Sequence, residues 1–120
     1  MTKQFSFSKY ENEVLPDFRQ KINLAESTED VKKFFVYTAK ELFDNIFEGK
    51  LELEYEDISL LPGEKPYYVV SDRLRLAPDF SSVWKDSDLP RVIGRLAETS
   101  SNRYRHLEKK PEKTDAKIRM

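Results

Sequence analysis

The stretch 31–47 constrains this chain more than any other feature. Placed at 100° per residue, Val31, Phe34, Phe35, Ala39, Leu42, Phe43, Ile46 and Phe47 cover roughly half of a helix's circumference. A stripe that wide belongs to a helix covered on more than one side, which predicts a central helix over 28–48. Its ends are marked as well. Ser27 or Thr28 is placed to cap the start, Glu29 and Asp30 fall where the helix dipole favours acids, and Gly49 is the expected stop. Phe35 and Leu42 are expected to be fully buried.

Such a helix needs partners to bury it. A chain of 120 residues is one ordinary domain, long enough to bury about two thirds of its unfolded surface. Eight Phe, six Tyr and one Trp give it far more aromatic surface than a disordered acidic or basic segment carries, although 36% of its residues are charged.

Upstream, Ser8 followed by Glu11 fits a capping box, and Tyr10, Val14, Leu15, Phe18 and Ile22 follow at helical spacing. This predicts a helix over most of 8–24, with Pro16 forcing a break near Asn12–Leu15. Residues 1–7 read as an extended arm anchored by Phe5 and Phe7. Downstream, residues 51–56 alternate strictly, which predicts a strand burying Leu51, Leu53 and Tyr55 and showing Glu52, Glu54 and Glu56 to water. Ile58 and Leu60 have the opposite parity, so a bulge or an end is expected near Glu56-Asp57. Pro62-Gly63 marks a turn, and 67–70 is a return strand that is expected to continue through 72–76.

Residues 77–88 read as a connection pinned by Phe80, Val83 and Trp84 through a short helical turn. Asp88 then caps a helix with Pro90 in its first turn, and Leu89, Val92, Ile93, Leu96, Ala97, Tyr104 and Leu107 share one face. That helix is expected to reach about Lys109, with Thr99-Ser100-Ser101-Asn102 a weak middle. The expected fold class is α+β: a single small domain over 1–110 with two N-terminal helices, an antiparallel β-hairpin and a long C-terminal helix. Residues 111–120 are expected to be a disordered charged tail.

Chemistry-bearing patterns are sparse. The absence of cysteine excludes disulfides, thiol nucleophiles and cysteine-ligated metals. Three isolated glycines, Gly49, Gly63 and Gly94, form no phosphate-cradling loop. His106 is the one histidine, without a zinc-helix or nucleophile-elbow pattern around it. Carboxylates on one strand face stand about 6.5–7 Å apart and do not converge on one ion. These patterns predict no catalytic, cofactor-binding or metal-binding residues and no enzyme activity. The longest apolar runs are too short to span a membrane, and Met1–Ser6 lacks the apolar core of a secretory signal, so a cytoplasmic location is expected.

The remaining signal is charge asymmetry. Residues 1–90 hold 12 basic and 18 acidic groups, whereas 91–120 hold 9 and 4. Arg91, Arg95, Arg105 and Lys109 lie opposite the apolar face of the last helix, with Glu98 and His106 among them, and form the candidate interaction face. The 41–64 stretch, with eight acids and one lysine, is its natural complement on a second copy. The expected function is therefore a non-enzymatic interaction or regulatory module that binds a protein partner, self-association included. A small nucleic-acid-binding protein using the basic helix 91–110 is the alternative. A second alternative is a small-molecule-binding domain or accessory enzyme subunit, with the aromatic surplus lining a pocket.

Overall fold

The stripe of residues 31–47 folds as its periodicity dictates. A computed structural model describes residues 7–51 and 53–109. In it, helix α2 runs over Thr28–Phe47, capped by the Ser27 hydroxyl, which accepts from the Asp30 N–H at 3.1 Å. Its end is left-handed, with Glu48 at φ 55° and Gly49 at φ 75°. Phe35, Ala39, Leu42 and Phe43 have no solvent exposure at all.

Helix α1 spans Ser8–Leu24, and helix α5 spans Leu89–Glu108. Three contacts set their direction. The Phe7 N–H donates to an Asp88 carboxylate oxygen, Arg95 reaches Glu11, and Arg103 reaches the carbonyls of Asn23 and Ala25. The start of α1 therefore meets the start of α5 and its end meets Arg103, so the two run parallel. Helix α2 runs antiparallel to both, and Lys32 near its start lies 5.5 Å from the Tyr104 ring near the end of α5.

The α+β class is as expected: among the described residues, five α-helices and a two-stranded antiparallel hairpin share one core. The hairpin is short. Strand β1, Ile58–Leu60, pairs with strand β2, Tyr68–Val70, in the register Ile58 to Val70 and Leu60 to Tyr68. Ile58 and Leu60 are buried against α2 and α5, while Ser59 and Val69 face outward.

Several expectations fail locally, each for a physical reason. The strand over 51–56 does not form. Glu54 and Asp57 instead cap a 3-10 turn at Tyr55–Asp57, and this turn absorbs the change of parity. Leu53 still buries and Leu51 does so in part, but Tyr55 turns outward, 44% exposed; Glu52 lies outside the described residues. The return strand stops at Val70 because the Ser71 hydroxyl accepts from the Leu74 N–H and starts helix α3, Asp72–Leu76. The 77–88 connection holds a full helix, α4, Pro78–Lys85, with Pro78 in its first turn.

The break expected near Asn12–Leu15 does not occur, and the weak middle of the last helix does not interrupt it. Pro16 stands inside an unbroken α1, where Asn12 and Pro16 are both exposed and water can reach the carbonyl that proline leaves without a donor. Ser100 and Ser101 are buried within an unbroken α5, where small side chains let neighbouring elements approach closely. Ser8 is not the N-cap either; Phe7 holds that position without a side-chain cap, and the Glu11 side chain turns to Arg95. The Asp88 side chain accepts from Phe7 instead of capping its own helix. The expected tail over 111–120 and the Phe5 anchor lie outside the described residues.

Candidate functional site

The sequence-predicted basic face divides into parts with different work. Arg91 is exposed on the first turns of α5. Arg95 is engaged within the fold: its Nε and Nη2 donate to the two Glu11 carboxylate oxygens at 2.8 and 2.7 Å. Glu11 is only 6% exposed, so this bidentate pair joins α1 to α5 and keeps Arg95 more firmly protonated, with hydrogen bonding to Glu11 the main cause. Arg105 and Lys109 are exposed on the last turn, where with Asn102 and His106 they edge a shallow hollow of about 330 Å³. Fourteen residues of helix place Arg105 about 21 Å from Arg91, with exposed Glu98 between them. The face is thus two small basic patches and one structural arginine. The last-turn cations also complement the negative end of the helix dipole, which is sufficient reason for their position.

Arg103, outside the predicted face, donates to the backbone carbonyls of Asn23 at 3.1 Å and Ala25 at 2.9 Å and so closes the end of α1. Asp57, marked in the sequence as the place of a bulge or strand end, is 4% exposed and highly connected. Its carboxylate accepts from the Glu54 N–H at 2.7 Å, the Ser71 hydroxyl at 2.6 Å and the Arg73 guanidinium. Burial pushes its pKa up, but the bonds from Arg73, Ser71 and Glu54 outweigh that and hold the carboxyl below its usual range. This hub fastens the 3-10 turn, the hairpin and α3 together. Among the described residues, no group of three His, Cys, Asp or Glu side chains is placed to hold a metal ion. Among the same residues, no helix is long and apolar enough to cross a membrane.

The aromatic surplus divides as clearly. Phe80 stacks on Trp84 with ring centroids 4.9 Å apart and meets Phe43 edge-on at 5.7 Å, and Tyr68 meets Trp84 edge-on at 6.1 Å. These rings fill the space between α2, α4 and β2. Beside them Phe47, Lys50, Asp79, Ser82 and Val83 line an open hollow of about 350 Å³.

Among the described residues only two aromatic side chains are exposed, Tyr37 at 50% and Tyr55 at 44%. They touch each other, with centroids 6.0 Å apart and planes at 72°. Partial burial, then Tyr37, then the Glu29 carboxylate push the Tyr55 hydroxyl's pKa upward. The first half of this pair was legible: Tyr37 sits about 180° from the centre of α2's apolar stripe, in the middle of its polar face. The second half was not, because alternation assigned Tyr55 to the buried side. No protein family, no curated protein and no solved structure matches this chain.

Proposed function

We propose that this chain is a non-enzymatic cytoplasmic interaction module whose work is to bind another protein, a second copy of itself included. The observation that carries this reading is the Tyr37–Tyr55 pair. A domain that buries or half-buries every other described aromatic leaves two large rings in water, side by side, on one surface. Tyrosine is a favoured anchor of protein interfaces, since it supplies a large rigid area with a polar tip. The polar groups with unusual connections, Asp57, Glu11, Arg95 and Arg103, all work within the fold. The nucleic-acid alternative has less to draw on, because Arg95 already spends its charge on Glu11 and Arg91 stands apart from Arg105 and Lys109.

The reading is tested by tagging the chain in its native host and replacing Tyr37 and Tyr55 together by serine. The unaltered chain should retain a protein partner, or a second copy carrying a different tag. The variant should lose it while melting at nearly the same temperature. Recovery of the unaltered chain alone, or of an undiminished partner with the variant, overturns the reading.

A further inference from the structure

Resting on that reading, we infer that the Tyr37–Tyr55 surface takes the arginine or lysine side chains of a basic protein segment. The ring faces of exposed tyrosines carry negative electrostatic potential and attract cations within about 6 Å of the centroid. An edge-to-face pair at 72° offers two such faces in different directions on one small surface. Lys33 and Lys40, the helix neighbours of Tyr37, lie over neither ring. Lys32, on the same helix, lies instead over Tyr104, 5.5 Å from its centroid.

The surrounding charge points the same way. Tyr55 is flanked in sequence by Glu54 and Glu56, both exposed, and Glu29 lies near enough to act on its hydroxyl. Glu41, one turn along α2 from Tyr37, is exposed too. Against these four acids stand Lys33 and Lys40, while Arg73 is held on the carboxylate of Asp57, two residues along from Tyr55, so the acids outnumber the cations. An acidic or phosphorylated partner would meet four carboxylates. A purely apolar partner would have to strip water from them without compensation. A basic segment satisfies rings and carboxylates together.

The test is a nuclear magnetic resonance titration of the full chain with a short arginine–serine repeat peptide. Glutamate–serine and all-serine peptides of the same length serve as controls. The arginine peptide should shift the amides around Tyr37 and Tyr55 and bind more weakly as salt is raised. Tyr37→Ala and Tyr55→Ala should each weaken binding about two- to fivefold, the size of an exposed cation–ring contact. Tyr37→Phe and Tyr55→Phe, which keep the ring faces, should retain most of the affinity and guard against loss of fold as the cause. Glu29→Gln with Glu54→Gln should weaken binding and flatten its salt dependence.

Shifts that avoid the pair, equal binding of the glutamate peptide, or affinity indifferent to removal of both rings would overturn the inference. If the arginine peptide does not bind while the double-serine variant still loses its native partner, this inference fails and the broader reading stands. If the peptide binds but the host yields no partner, the broader reading fails and the cation site stands.

Discussion

Glu11 and Asp57 are acids that the fold buries, and each is answered by an arginine from another element. Glu11 meets Arg95 at 2.7 Å across 84 residues of sequence, and Asp57 meets Arg73 across 16. Neither pairing follows from spacing, because sequence reveals charge pairs only where a helix repeats at three or four residues. By spacing alone, Arg95 is therefore one more member of the candidate interaction face. The distinction is measurable. Arg95→Ala should cost about 1–3 kcal/mol by urea unfolding, since it leaves a buried carboxylate without its donors. Arg91→Ala should change stability by less than about 0.5 kcal/mol. Equal effects would mean that Glu11 does not rely on Arg95.

Asp57 gives the chain a pH dependence whose sign is fixed by its environment. Its folded pKa lies below its ordinary value of 3.8, so the unfolded state binds protons first as pH falls. The stability it contributes is fully present above the unfolded pKa and is lost as pH drops from about 5 through the lower folded pKa. Melting temperature measured down that range should fall for the unaltered chain and fall less steeply for Asp57→Asn. Parallel curves would remove Asp57 from the account.

Among the elements, α2 and the 51–60 segment show how far periodicity carries. In α2 the 3.6-residue repeat, the Ser27 cap and Gly49 all favour one structure, and Phe35 and Leu42 are buried as their positions require. Phe35→Ala should accordingly cost about 3–5 kcal/mol. In 51–56 the alternation marks Leu53, buried, and Leu51, half-buried, but misplaces the exposed Tyr55, because alternation reports burial and not pairing. What decides the local structure is the reciprocal capping of Glu54 and Asp57, which favours a turn just where a strand would run. Ser71 ends the other strand in the same manner, and its hydroxyl has two tasks: it accepts from Leu74 N–H and donates to Asp57. Ser71→Ala should therefore cost more than Ser27→Ala, roughly 1–2 against about 1 kcal/mol. An equal loss would show that the bond to Asp57 adds nothing to the cap.

Across the whole molecule, the parallel course of α1 and α5 keeps three polar links on one seam, at Phe7–Asp88, Glu11–Arg95 and Ala25–Arg103. Off this seam lie the exposed Tyr37–Tyr55 pair with its acids and the cationic last turn of α5 with Arg105 and Lys109. These are opposite in charge and belong to one chain, so a second copy is the simplest supply of a basic segment. Light scattering at low salt should then give a mass that rises above 14.2 kDa with concentration and returns toward it as salt screens the contact. Arg105→Glu with Lys109→Glu should hold the mass at the single-chain value, whereas Arg91→Glu, about 21 Å along the helix, should not. The same reversal pair should leave stability nearly unchanged, since exposed charges contribute little. A mass of one chain at every concentration and salt would remove self-association.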